Sequence, residues 1–306
     1  MAGRPDTGAN PAMPAGACDC HVHIFGPADR FPYWPGRSYT PPDASLAKLQ
    51  ALHARLGIER TVIVHPSPYG TDNRVSLAAA AALGDRARVV AVIDENSVSD
   101  ADLDAFHAQG VRGVRLNFAS NGIEAPELAR SRLEATARRI AHLGWHVQIF
   151  TSLDIITALS RLIGALSVPI VVDHFGMAWA AEGTSQPGFQ VLAGLLREAD
   201  LWIKLSAAYR ISADPQSRDV DTIAVAFLET HPQRCIWGSD WPHPGHRPAG
   251  LPAGSFVPSL EVDDAEAIAA LWRWCAYDAE LFRRVLATNP ATLYDFPPVP
   301  ANSTAR

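Results

Sequence analysis

Three histidines and one aspartate stand out for the chemistry they could do together. His21 and His23 lie one residue apart in DCHVHIFGP, His174 closes VDH, and Asp240 sits in GSDWPHP. An imidazole can donate a hydrogen bond to a carbonyl oxygen or ligate zinc. A carboxylate beside it can accept the proton of a water molecule as general base. A lone His-x-His is weak evidence, because the same pair can simply open a buried strand. His65 and His146, taken singly, read most plainly as a strand end and a satisfied core histidine. The four residues together are different, provided that the fold brings them to one place.

The elements that must position them recur with a rhythm. Short β-branched or apolar runs follow the opening strand at 60–65, 88–93, 111–117, 145–150, 168–174, 201–206 and 234–240, eight in all. Between them, helical periods fit 43–57, 99–110, 125–143, 152–164, 188–199 and 217–230, with two more at 263–275 and 278–287. Asp43 can cap the first, Gly57 can close it, and Ser99 with Asp102 suits a capping box. Eight strand–helix units predict a parallel sheet closed into a (β/α)8 TIM barrel, class α/β, in a single domain. An open doubly wound sheet is disfavoured because no Gly-rich phosphate loop follows the first strand. The expected boundaries are a disordered tail at 1–16, the barrel at 17–296 and a C-terminal tail at 297–306.

Strand parity gives expected faces. Asp19, His21 and His23 fall on one side of the first strand, with Cys18, Cys20 and Val22 on the outer wall. His65 turns inward with Thr61 and Ile63, leaving Val62 and Val64 to the helices. Arg115 with Asn117, and His146 with Gln148 and Phe150, point inward, as do Lys204 and Ser206. His174 goes with Ile170 and Val172, and Asp240 with Gly238. Polar residues at the C-terminal ends of several barrel strands are where this fold builds its active sites.

Composition narrows the classes. The 306 residues carry 26 Lys plus Arg against 32 Asp plus Glu, a net charge of −6 without a basic run, which argues against a nucleic-acid partner. No apolar stretch approaches the ~18 residues of a membrane span, and residues 1–16 lack the form of a secretory signal. The four cysteines show neither zinc-ribbon spacing nor a disulfide framework, so a cytoplasmic protein with reduced thiols is expected.

DCHVHIFGP, WHVQIF, VDHFG and WGSDWPHP, with the closing NPATLYDF, resemble the amidohydrolase superfamily, and within it the 2-pyrone-4,6-dicarboxylate lactonase branch. The similarity runs from about Ala17 to Phe296. It implies a hydrolase that opens the lactone ring of a small carboxylated substrate in aromatic or sugar-acid catabolism, without metal. Sister members act on sugar-acid lactones and muconolactones. The resemblance also places Tyr39, His65 and Ser67 at substrate-contact positions. Metal-dependent relatives add a strand 5 histidine where this chain has Phe150, which then lines the substrate pocket. A zinc held by His21, His23, His174 and Asp240 is the alternative.

Within the metal-free reading, Asp240 accepts a proton from water while His21, His23 and His174 polarise the carbonyl. Arg115 and Arg210 are placed to receive carboxylates, although each could instead be a rim salt bridge. The branch carries a further arginine shortly after the strand 4 arginine; here that segment reads LNFASNG, and Asn121 does not replace the charge. Competing functions are a lactone isomerase of sugar acids, separable by its product, and a non-catalytic sugar-acid binding barrel, separable by tight binding without turnover. A carboxylate at the pocket centre argues against a mere binder of anions.

Overall fold

The computed structural model describes residues 12–119, 125–214 and 218–298. Asn121 and the outer parts of both expected tails lie outside the described residues. Eight strands form one sheet: β1 (Cys18–Val22), β2 (Arg60–Val64), β3 (Ala87–Ala91), β4 (Val111–Asn117), β5 (His146–Phe150), β6 (Ile170–Val172), β7 (Leu201–Ser206) and β8 (Cys235–Gly238). They pair in chain order, each neighbour parallel. The ring closes where β8 returns to β1: Asp240 N–H donates to the His21 carbonyl (2.9 Å), and His23 N–H to the Trp241 carbonyl (2.8 Å). This is the expected (β/α)8 barrel, and its seam runs through the candidate residues.

The strands alternate with α1 (Leu46–Leu56), α2 (Arg74–Leu83), α3 (Asp100–Ala108), α4 (Pro126–Ile140), α5 (Leu153–Ala165), α6 (Phe189–Glu198) and α7 (Asp219–Thr230), and α8 (Asp264–Trp274) follows β8. Ser45, not the expected Asp43, caps α1, its hydroxyl accepting from Lys48 N–H because the helix starts only at Leu46. Gly57 ends it at φ 74°, a left-handed turn that glycine adopts without a Cβ clash. Ser99 and Asp102 form the reciprocal capping box of α3. Only α2 was illegible. Its five consecutive alanines (78–82) show no stripe of large apolar residues, yet Val75, Ala79, Ala80 and Leu83 are its buried face.

Two buried layers show which way each strand faces. The outer layer packs Ile63, Val114, Leu116, Val147, Ile149, Ile170, Val172, Ile203 and Leu205 against the helices. The inner layer joins Cys18, Cys20, Val62, Val64, Val90, Val171, Trp202 and Ile236 from six strands with Tyr294 and Phe296. Parity therefore holds for β4, β5, β7 and β8 and is corrected on β1, β2 and β6. On β2, Val62 and Val64 face the barrel interior, and His65 goes outward with Ile63. On β6, Val171 faces in, while Ile170 and Val172 face the helices. On β1, Cys18 and Cys20 point inward instead of forming the outer wall.

A bulge explains how β1 still presents both histidines. Cys18 and Asp19 pair with Arg60 and Thr61, but Val22 takes the partner that His21 would have met in regular register. The extra residue keeps Asp19 and Val22 outward and brings His21 and His23 inward. Asp19 then anchors the seam from outside, accepting from Ser239 N–H (2.9 Å) and Ser239 Oγ (2.6 Å). Gly238 permits the close approach: a Cβ there would lie 2.7 Å from the His21 backbone nitrogen and Cβ.

NPATLYDF closes the opposite end of the barrel. Asn289 Nδ2 donates to the carbonyls of Cys235 (2.7 Å) and Pro232 (2.8 Å). Tyr294 and Phe296 are buried beneath the inner layer, each contributing roughly 1.5–3 kcal/mol of apolar burial. His146 belongs to this packing, edge-on to Tyr294 at 5.2 Å. It is a core residue. The stretch expected as an N-terminal tail is tied down from Met13, which packs on the core, and Gly16 N–H donates to Glu59 (2.8 Å).

Candidate active site

Asp240 is the centre of the site. It is fully buried, at φ 64°, one residue beyond the strand-end dipeptide Gly238–Ser239. Its two oxygens have different surroundings. Oδ2 accepts from Tyr209 OH (2.6 Å), Arg210 Nε (2.9 Å) and Arg210 Nη2 (2.7 Å). Oδ1 has no hydrogen-bond partner among the described residues and faces His23 Nε2 at 3.4 Å and His21 Nε2 at 3.5 Å. Burial alone would raise its pKa, but the Arg210 charge, with His174 and His23 close by, holds the carboxyl well below the usual range. Asp240 is ionised at neutral pH.

Each histidine is anchored through Nδ1; the Nε2 atoms of His21 and His23 face Asp240, and His23 and His174 line the pocket. His23 Nδ1 lies 2.7 Å from the Val64 carbonyl, which can only accept, so neutral His23 presents a lone pair at Nε2. His174 Nδ1 meets Ser206 Oγ at 2.8 Å. His21 Nδ1 faces Lys204 Nζ and Asp173 Oδ1, both at 3.4 Å. Burial lowers the pKa of all three, His21 to about 3, outweighing nearby carboxylates. They are neutral imidazoles near pH 7.

His174 reaches the site by a route that parity misses. It would face the helices, but its φ of 50° swings the ring inward, 4.8 Å from His21. Ala207 (φ 52°) does the same for Tyr209 and Arg210 after β7. Left-handed non-glycine residues cost on the order of 1–3 kcal/mol each and collect at functional sites. Here they stand at the ends of β6, β7 and β8.

Above these groups lies a pocket of about 200 Å³ lined by His23, Tyr39, Ser67, Arg115, Asn117, Phe150, His174, Arg210 and Asp240, among others. Arg115 is buried; its Nε has no hydrogen-bond partner and sits 3.8 Å from Asp173 Oδ2. Both guanidiniums lie 5.9 Å from the Phe150 ring. Burial raises the Tyr39 phenol to about 12, so it is a donor. His65 is placed elsewhere: its Nδ1 meets Ser76 Oγ (3.0 Å) on α2, and it lines a wider adjoining cleft of about 1150 Å³.

With this geometry, comparison with known proteins is decisive at one level. The amidohydrolase family model matches residues 18–296. The chain belongs to the amidohydrolase family. It is therefore an enzyme of that family, and its curated relatives are similar over nearly their whole length. A 2-pyrone-4,6-dicarboxylate hydrolase of Comamonas testosteroni is 37% identical, over 94% of either chain. A 4-sulfomuconolactone hydrolase of Rhizobium radiobacter is 38% identical, over 92% of this chain and 91% of the relative. A solved Pseudomonas putida structure, assigned as a 2-pyrone-4,6-dicarboxylic acid hydrolase, superposes with a TM-score of 0.78 at 30% identity, covering 92% of this chain and 98% of that one.

In this amidohydrolase, Asp173, Lys204, Gln148, Tyr209 and Ser206 reach the site although the sequence did not single them out for it. Asp173 extends the β6 ladder through its N–H to the Ile149 carbonyl (3.0 Å) and shares the inward face of Val171. Correct parity on β6 was the signal that could have found it. A divalent metal fits the donor set in kind, since His21, His174 and Asp240 bring ligand atoms within 4.8 Å of one another. Arg210 on Asp240, and Lys204 behind His21, already place two positive charges at those ligands.

Proposed function

We propose that this amidohydrolase opens the lactone ring of a small carboxylated substrate by hydrolysis, without requiring a metal. The observation that carries the reading is the asymmetry of Asp240, one oxygen held by Tyr209 and Arg210 and the other bare beside His23 Nε2. Two acceptors 3.4 Å apart can hold one water by both its protons, leaving an oxygen lone pair toward the pocket. Attack on the lactone carbonyl passes the proton to Asp240, and His21 and His174 donate to the oxygen on which negative charge develops. The leaving oxygen then takes the proton back from Asp240. His23 thus acts as an acceptor, which refines the expectation that all three histidines polarise the carbonyl. A zinc on His21, His174 and Asp240 would supply Lewis-acid polarisation of that same oxygen.

Arg115, with an unpartnered Nε at the pocket wall, supplies the cation for a substrate carboxylate, and Arg210 closes the opposite side. The hydrolases named for a pyrone dicarboxylate and a sulfonated muconolactone support a ring-opening reaction on anionic lactones. With Asn121 at the family's further arginine position, a monocarboxylated lactone is expected to outperform the pyrone dicarboxylate. A panel of both kinds, with products identified by NMR, tests this. Ring-opened acids support the reading; a rearranged lactone, or binding without turnover, overturns it. A kcat/KM for the pyrone dicarboxylate at least tenfold above every monocarboxylated lactone overturns the substrate preference alone.

A further inference from the structure

Beneath the pocket, Lys204, Gln148 and Asp173 form a closed ring with no exposure to solvent. Lys204 Nζ donates to Gln148 Oε1 (2.8 Å) and lies 3.2 Å from Asp173 Oδ1. Gln148 Nε2 donates to Asp173 Oδ2 (2.9 Å), which fixes the amide orientation. An ammonium has three N–H groups and no lone pair. Gln148 takes one of them and His21 Nδ1 faces another at 3.4 Å, while Asp173 Oδ1 pairs with the charge without an aligned hydrogen bond.

We propose that Lys204 is a positioning residue that fixes the proton of His21 on Nε2, so that this imidazole faces Asp240 Oδ1 as a permanent hydrogen-bond donor. A proton on Nδ1 would oppose the N–H of an ammonium. Asp173 Oδ1 offers it no escape, because that oxygen accepts no aligned hydrogen bond despite lying 3.4 Å away. With Nδ1 occupied as an acceptor, the neutral ring carries its proton on Nε2, 3.5 Å from the bare Asp240 Oδ1. The same tautomer withholds the Nε2 lone pair that a metal would need. Without the ammonium, the Asp173 carboxylate would be released from its pairing with Lys204 and could turn to accept a proton on Nδ1, as in carboxylate–histidine–metal arrangements.

The catalytic meaning rests on the lactone-opening reading, but the position of the proton does not, and the test separates them. The full-length protein, labelled with ¹⁵N-histidine and assigned against His21→Gln, is measured by NMR at neutral pH. Wild-type His21 should show a protonated Nε2 and a pyridine-like Nδ1; the reverse overturns the proposal whatever reaction the enzyme performs. In Lys204→Met the two resonances should exchange character, kcat should fall about 10²-fold as for loss of one oxyanion donor, and KM should change little. A folded Lys204→Met with an unchanged His21 spectrum also overturns it. Should removal of the buried charge prevent folding, the wild-type spectrum alone decides.

Discussion

Replacing Asp240 by asparagine tests the proposed reaction at its centre, and the structure specifies how the amide must sit. Tyr209 and Arg210 donate to Oδ2, so the asparagine carbonyl oxygen must take that place. The NH₂ group then occupies the position of Oδ1, within 3.4 Å of His23 Nε2, where it can donate to the imidazole lone pair. Shape and hydrogen bonding survive, but neither acceptor for water does. Loss of a positioned general base costs typically 10²–10⁴ in rate, equivalent to ~3–5 kcal/mol of transition-state stabilisation. Arg210 loses its counter-charge, which should lower stability by about 2 kcal/mol, the scale of a hydrogen bond to a charged group. Steady-state assays of lactone opening should therefore show kcat down at least 10²-fold with KM within a few-fold, and Tm lowered by a few degrees. A variant keeping more than a tenth of wild-type kcat would remove Asp240 as the base.

Treatment with a chelator should leave activity intact, and the purified protein should hold well under one metal per chain; loss restored by zinc would make His21, His174 and Asp240 ligands. Arg115→Met should raise KM for a carboxylated lactone at least tenfold with kcat little changed, whereas an effect confined to Tm would make Arg115 a structural partner of Asp173. Arg210→Met removes the main charge depressing the Asp240 pKa, so the acid limb of kcat/KM should move to higher pH; an unmoved limb would separate Arg210 from the base. Burial holds His21, His65 and His146 near a pKa of about 3 in the fold, below the model-peptide value of about 6.5. The unfolded chain then binds more protons between these limits, so Tm should fall as pH drops from 6.5 toward 3, and His146→Asn should reduce that slope.

The architecture was legible because eight strand runs separated by helical periods admit few closures. The capping box at Ser99 and the stop at Gly57 are local chemistry that any fold would respect, whereas the first helix begins two residues later than read, capped by Ser45 and not Asp43. What failed was orientation, and for a physical reason. Parity assumes an unbroken two-residue repeat, and the repeat breaks where this barrel places reactive groups. The bulge on β1 puts Cys20, His21 and His23 all inward, which no alternation predicts. His174 was assigned to the correct site from an incorrect strand face, and its left-handed backbone compensates for that error. Asp240, by contrast, keeps the inward parity of Ile236 and Gly238 and adds a positive φ to it. The same substitution of strain for register hid Tyr209 and Arg210 as direct partners of Asp240, since nothing in SAAYRIS announces a left-handed alanine. Lys204 and Gln148 obeyed parity, yet each is a single residue that reads as core filling until its neighbours are known. Residue type at a strand's C-terminal end therefore carries the candidate set in this barrel, whereas the hydrogen bonding behind it depends on contacts between strands distant in sequence. His21 shows the division: its identity is local, but the Nδ1 contact on which the proposed tautomer rests comes from Lys204, 183 residues away.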